Sequence, residues 1–339
     1  MNPLARTIAY FLVASSTVSL VASSRVLKAP APRGKLVDLG GHRLNVYCTG
    51  KGAFTVVVET GLGDFSFDWV LVQKKVENFS RICTYDRGGY AWSDPGPKPR
   101  TFAQLNLELQ DALNKLGEQA PLILVGHSFG GGVVRNYALT YPTQVVGMVL
   151  VDVVQENQLI PMGPKKLGRV RDSAKGTPIP DPRENLLPSD RPNPPERATT
   201  AQDFDPPSDR LPLREQRLHM WAEQVSALGD AETSQREWSA EYLERWYSTS
   251  QDGSLGTIPL VVLTRAHGGY DSDLDVPEPD LEANRLRLQS SLALLSKNGK
   301  QIIVQSGHNM HLDAPGPVAD AIQQVNVLCL QAERQRRSW

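Results

Sequence analysis

Residues 121–132 read Pro-Leu-Ile-Leu-Val-Gly-His-Ser-Phe-Gly-Gly-Gly and pass without a spacer into Val133-Val134-Arg135-Asn136-Tyr137-Ala138-Leu139. A short unbroken apolar run followed at once by a helix-like stretch demands a sharp strand-to-helix turn. Gly126 and Gly130, on either side of Ser128, allow backbone to approach where a Cβ would clash. Such a turn pushes Ser128 Oγ out over the end of a sheet, with the free N–H groups of a helix N-terminus behind it. Gly-x-Ser-x-Gly occurs by chance in many chains; the strand before it and the helix after it make Ser128 a candidate nucleophile.

The same alternation extends through most of the chain. Lys35 to Leu39 and Leu44 to Cys48 flank Gly40-Gly41 as a hairpin, and Phe54 to Glu59 reads as a buried strand. A helix around Phe67 to Phe79 is followed by a strand at Arg81 to Tyr85. A helix over Phe102 to Leu116 then places Leu105, Leu109, Leu113 and Leu116 on one face. After the elbow come strands at Val145 to Val151 and Ile258 to Thr264, a helix around Asp280 to Leu295, a strand at Gln301 to Val304 and a helix around Pro317 to Leu330. Continuously apolar strands separated by helices predict an α/β fold with a mostly parallel sheet covered on both faces.

Between Val151 and Ile258 the alternation stops. Residues 176–212 hold ten of the 25 prolines, which excludes regular helix and central strand there. Two helix-like stretches follow, one with Leu218, Trp221, Val225 and Leu228 and one with Trp238, Tyr242 and Trp246. Aromatic stripes usually pack into a core. An insertion between sheet strands also brings Trp221, Trp238 and Trp246 near the elbow as candidates for a substrate pocket. The expected organisation is a core from 35–152 and 256–334, with an insertion at 153–255.

The N-terminal run from Thr7 to Ser24 is uncharged, follows Arg6 and ends in small residues before Arg25. It predicts a signal peptide over residues 1–24 and a secreted or periplasmic protein. The alternative is an uncleaved membrane anchor, the only case in which membrane contact is expected. A net charge of −1 gives no reason to expect a nucleic-acid partner. No His/Cys spacing resembles a metal site and no phosphate-binding loop is present, so neither metal nor nucleotide chemistry is expected. Cys48 and Cys83 fall in predicted core strands, where they read first as small buried hydrophobes; export would permit a bridge between them, leaving Cys329 over.

A serine hydroxyl needs an imidazole to take its proton, and the imidazole needs a carboxylate to fix its tautomer. His308, in Ser306-Gly307-His308-Asn309-Met310-His311, follows the last predicted strand and is the candidate base. His311 is expected to pack in the following turn, and His127 to be structural. His42, His219 and His267 lack a comparable context. Gly61-Leu62-Gly63 directly follows the strand ending at Glu59, so the N–H groups of Leu62 and Phe129 are the candidate oxyanion donors.

These motifs, with Tyr85-Asp86-Arg87-Gly88-Gly89-Tyr90-Ala91-Trp92-Ser93-Asp94, resemble the α/β-hydrolase superfamily over about residues 35 to 330. The resemblance implies a mostly parallel eight-stranded sheet, a cap formed by the insertion, no cofactor, and an acid after the sixth or seventh strand. The Asp86–Ser93 segment resembles a structural loop of cap-bearing members. After Thr264 the chain reads Arg265-Ala266-His267-Gly268-Gly269-Tyr270, whereas Asp152 directly follows Val151 and resembles the acid position of haloalkane dehalogenase-like members. Asp152 is the leading acid, and Asp271, Asp273 and Asp275 are the alternatives.

The expected activity is hydrolysis of a small-molecule acyl substrate, an ester, lactone or amide, through an acyl-enzyme on Ser128. An acyltransferase would use the same groups, and a non-catalytic ligand-binding member would share the fold.

Overall fold

A computed structural model describes residues 29–118, 121–161, 167–169, 206–236, 252–266 and 278–338. Trp238, Trp246, Asp271, Asp273 and Asp275, and the proposed leader, lie outside them. The chain opens with β1 (Lys35–Asp38), β2 (Arg43–Thr49), β3 (Thr55–Glu59), a 3-10 turn at Ser66–Trp69, α1 (Val70–Val76) and β4 (Arg81–Tyr85). It continues through α2 (Phe102–Leu116), β5 (Leu122–His127), α3 (Gly130–Thr140) and β6 (Val145–Val151). A short pair, β7 (Leu159–Pro161) and β8 (Leu167–Arg169), precedes α4 (Leu213–Ala222). Then come β9 (Leu260–Arg265), α5 (Glu278–Ala293), β10 (Gly299–Val304), α6 (Met310–Asp313) and α7 (Pro315–Arg337).

The main sheet has eight strands in the order β1-β2-β4-β3-β5-β6-β9-β10. β1 and β2 join antiparallel and β2 meets β4 antiparallel, while every later pairing is parallel. Because side chains alternate across a strand, the Val-rich runs fill two cores at once. On one face Val57, Leu124, Leu150 and Val262 pack against Leu109 and Leu113 of α2, Tyr137 of α3 and Leu292 of α5. On the other, Val56, Val58, Val125, Val149 and Leu263 pack against Val72 of α1 and Ile322 and Val325 of α7.

Local signals set the helix limits. Thr101 Oγ accepts the Gln104 N–H at 3.1 Å, and Gly117 ends α2 at φ +73° while its N–H returns to Asn114 O. The expected face of α2 is buried at Leu105, Leu109 and Leu113, with Leu116 at the edge of the core. The 67–79 segment is shorter and more irregular than a single helix, because the 3-10 turn that seats Trp69 precedes α1.

Cys48 and Cys83 face each other across β2 and β4 and form a disulfide rather than two free thiols. Cys329 is free and buried. Among the described residues no helix is long and apolar enough to cross a membrane.

Of the stretch between β6 and β9, the described residues 218–231 pack against the loops that follow β3 and β4. Leu218, Trp221 and Ala222 of α4, with Leu228 and Ala231 from a helical stretch described over 228–236, join Phe65, Phe67, Tyr90 and Ala91 in one cluster. The expected helix through Val225 and Leu228 is in fact broken after α4, with turns between it and residue 228.

Candidate active site

Three sequence-distant positions meet at the C-terminal ends of the parallel strands, where an open α/β sheet presents its loops. Ser128 stands between β5 and α3 at φ +50°, a left-handed conformation that costs a non-glycine residue energy and must be enforced by its surroundings. Close packing enforces it here. A Cβ on Gly126 would lie 2.8 Å from Gly130 O, and one on Gly130 would lie 2.3 Å from Glu59 O. The two glycines therefore let the elbow press against the end of β3. Backbone bonds from Ser128 N–H to Val151 O (3.2 Å) and from Val154 N–H to Ser128 O (3.2 Å) tie it to β6 and the residues just beyond.

Asp152 follows β6 at φ +41° and is buried, while its N–H donates to Leu263 O at 2.8 Å. Asp152 Oδ2 lies 2.7 Å from His308 Nδ1. The loop carrying His308 is held by Gly307 N–H donating to Asp313 Oδ2 at 3.1 Å. Asp152 has two further partners that sequence reasoning missed. Arg265, at the end of β9, donates from Nη1 to Asp152 Oδ2, and Arg285 of α5 brings Nη1 to 3.5 Å from Asp152 Oδ1 while donating to Arg265 O at 2.9 Å. Thus the residue that follows Thr264 is a cation aimed at the carboxylate at the end of the neighbouring strand. Arg265 was visible as an anomaly in the sequence; Arg285, inside a helix, gave no such signal.

The charge arrangement separates the two partners' titrations. Burial pushes Asp152 up, but His308 and Arg265 outweigh it and hold the carboxyl below its ordinary range. His308 is also moved down: burial is the main cause, with the charges of His127 and Arg265 adding to it, against the opposing pull of Asp152.

The turn after β3 is bolted to the scaffold by the Asp86–Ser93 loop. Arg87, buried, donates from Nη1 to Glu59 Oε1 and Thr60 O, both at 2.8 Å, and from Nη2 to Gly61 O. Tyr85 donates its hydroxyl to Glu59 as well. Asp86 accepts Ser66 N–H at 2.9 Å and Asn45 Nδ2 at 2.8 Å. Leu62 and Phe129 share one apolar cluster with Phe102, Leu105 and Val133, so the turn carrying Leu62 lies beside the start of α3.

Trp221, a pocket candidate in the sequence, is buried with its ring 5.0 Å from that of Trp92 and packs with Phe67 and Leu218. His311 stacks on Trp69 at 5.0 Å, as expected for a packing residue. Asp64, His127 and His311 bring ligand-type atoms within 4.8 Å of one another. In that group Asp64 Oδ2 already lies 2.9 Å from His127 Nδ1, a direct hydrogen bond that satisfies both atoms.

The chain matches the model of the alpha/beta hydrolase family over residues 56–321, and it belongs to that family. It is similar to a probable transporter, efuK, of Hormonema carpetanum, 33% identical over 129 residues that cover 36% of this chain and 18% of efuK. It also resembles the uncharacterized YbdG of Bacillus subtilis, 28% identical over 130 residues covering 38% of this chain and 40% of YbdG. The matched stretch thus spans less than half of either relative. Among solved structures it is similar to a thermophilic esterase from Thermogutta terrifontis, with TM-score 0.55, 17% identity and coverage of 87% of this chain and 97% of that one. The epoxide hydrolase CorEH gives TM-score 0.56 at 14% identity, covering 86% and 97%. These likenesses carry the fold, and family membership supports a hydrolytic function.

Proposed function

We propose that the chain is a serine hydrolase that cleaves a carboxylic ester, with lactones and amides as neighbouring possibilities for the same chemistry, through an acyl-enzyme on Ser128. The observation that carries this reading is the 2.7 Å bond from His308 Nδ1 to a buried Asp152 in a site whose serine occupies a strained elbow. With Nδ1–H given to Asp152, His308 keeps the Nε2 lone pair for the serine proton. Ser128 Oγ attacks the acyl carbon while His308 takes its proton. Leu62 and Phe129 N–H groups receive the oxyanion; His308 then returns the proton to the leaving group, and water repeats the cycle. A serine rather than an aspartate at the elbow favours acyl chemistry over the alkyl-enzyme route of dehalogenases and epoxide hydrolases.

In this reading the segment between β6 and β9 is a cap, and its described residues 218–231 pack on the Phe65–Phe67 loop. Export through the N-terminal segment is supported by the Cys48–Cys83 bridge, since disulfides persist in oxidising compartments. A fluorophosphonate probe tests the central claim: it should label the protein once, and Ser128→Ala should abolish labelling. Label that persists in the variant refutes the assignment. A chain-length series of activated esters beside lactones and anilides would then rank the acyl substrates.

A further inference from the structure

Next to the candidate base lies a second aspartate–histidine pair, contributed by the residue before the nucleophile and by the turn after β3. Asp64 Oδ2 lies 2.9 Å from His127 Nδ1 and accepts Gly61 N–H at 3.0 Å. The other ring nitrogen, His127 Nε2, lies 3.1 Å from the backbone carbonyl oxygen of His308. Two side chains thereby connect the turn that holds Leu62, the elbow that holds Ser128 and the loop that holds His308.

We propose that Asp64 and His127 form a positioning ion pair that locks these three pieces in register and sets a fixed positive charge against the His308 ring. The inference rests on the reading of Ser128, Asp152 and His308 as catalytic. The proton count follows from the partners. A carbonyl oxygen only accepts, so His127 Nε2 carries a hydrogen. Asp64 Oδ2 already accepts a backbone N–H, which favours the ionised carboxylate, so the hydrogen between it and Nδ1 resides on the ring. A ring donating from both nitrogens is an imidazolium.

The surroundings agree. Burial pushes His127 down, but Asp64 and the His308 carbonyl outweigh it and the ring's pKa is raised; burial pushes Asp64 up, and His127 more than reverses it. His311, the third ring of the cluster, is driven down to about 3 by burial and by the His127 charge, so it stays neutral. The rings of His127 and His308 are 4.8 Å apart. The charged or titratable groups around His308 are Asp152 after β6, Arg265 at the end of β9, His127 before the elbow, Asp64 in the turn after β3 and His311 in α6. Those around His127 are Asp64, Asp152, His308 and His311. A cation at His127 disfavours a second one on His308 and keeps the base unprotonated to lower pH.

The first measurement uses the wild-type protein. Nitrogen chemical shifts of its histidine rings at about pH 7 should show His127 protonated on both nitrogens, with no change after chelator treatment. A neutral His127, or shifts that depend on added Zn²⁺, would overturn the ion pair. The second measurement is the pH profile. His127→Gln removes the cation and leaves Asp64 negative, so the acid limb of kcat/KM should move up by about half a unit or more. The kcat should fall about 10- to 100-fold as the register of base and nucleophile loosens. Asp64→Asn should lower kcat without a matching rise in KM, and the double variant should lose no more than the worse single one. A purely structural role would lower Tm in all three and leave the acid limb unmoved. Should Ser128→Ala remain fully active, the catalytic reading fails by itself, while the ring-nitrogen result still decides the ion pair.

Discussion

Asp152 and Asp64 each hold a histidine Nδ1, at 2.7 Å and 2.9 Å, within one site, yet the two imidazoles are driven in opposite directions. Asp152 also pairs with Arg265 and Arg285, and His308, pushed down mainly by burial and further by the charges of His127 and Arg265 against the pull of Asp152, remains neutral more readily than a free imidazole. Among the described residues no arginine hydrogen-bonds the Asp64 carboxylate; it accepts from Gly61 and lies against His127, and His127 has a carbonyl at its far nitrogen. The carboxylate–imidazole contact alone therefore does not define a base. What differs is where the second ring nitrogen points and what else the carboxylate must neutralise.

The strongest way to break this comparison is to exchange each carboxylate for its amide. Asp152→Asn should preserve the fold but lower kcat by about 10³ to 10⁴, because the amide favours the wrong imidazole tautomer and cannot stabilise its cation. The loss from Asp64→Asn should be smaller by at least about tenfold, since that pair positions groups and does not touch the transferred proton. Asn changes at Asp271, Asp273 and Asp275 should each cost about tenfold or less. Equal losses at Asp64 and Asp152, or a near-wild-type Asp152→Asn beside an inactive loop variant, would move the acid elsewhere.

Arg265 sharpens the contrast next. Arg265→Gln leaves Asp152 buried with less compensation and should cost about 3 kcal/mol of stability in denaturant unfolding. It also removes a cation beside His308, so the acid limb should rise. An unmoved limb would mean that Arg265 only packs. In the wild type, activity should be lost as pH falls through a midpoint below about 6.5, the ordinary imidazole value, because protonation removes the base. A midpoint above 7 would contradict the charge arrangement.

The sheet was legible because every core strand is an apolar run closed by a turn, and α2, with both caps written in Thr101 and Gly117, lies where periodicity predicts. Ser128 and Asp152 stood out as candidates because each directly follows a strand, and His308 because it lies in the loop between the last strand and α6. The contacts among them were not legible. Nothing in spacing shows that Arg285, in the middle of a helix, turns toward Asp152. Likewise nothing shows that Asp64 reaches across to His127, 63 residues on, because such pairings depend on strand order rather than on local pattern. The segment between β6 and β9 was least legible, because prolines over 176–212 disfavour regular helix and strand without saying what the chain does instead. Trp221 shows the consequence: its helical stripe reads first as core, with pocket lining as the alternative, and the ring is buried 5.0 Å from that of Trp92. Trp221→Ala should cost about 3 kcal/mol or more of stability while sparing fluorophosphonate labelling of the protein that remains folded.

A third aspartate–histidine pair gives the mildest test. His219 of α4 lies with Nδ1 3.0 Å from Asp68 Oδ1 and Nε2 3.1 Å from Glu223 Oε1, joining α4 to the 3-10 turn. Both ring nitrogens again face acceptors, and although burial pushes the ring down, Asp68 and Glu223 raise it to about 10. This pair resembles Asp64–His127 in protonation, but its two bonds link α4 to the 3-10 turn and to its own C-cap rather than to the elbow, so charge and position can be tested separately. His219→Gln should leave kcat and the acid limb of kcat/KM close to wild type, whereas His127→Gln should move both. Stability should carry the effect instead. A raised folded pKa contributes stability that is fully present below the unfolded value of about 6.5 and lost as pH rises toward 10. The Tm gap between wild type and His219→Gln should therefore be widest in mild acid and narrow steadily above neutral pH. A gap independent of pH would show that the ring holds α4 by packing on Phe65 at 5.1 Å, with its charge contributing nothing.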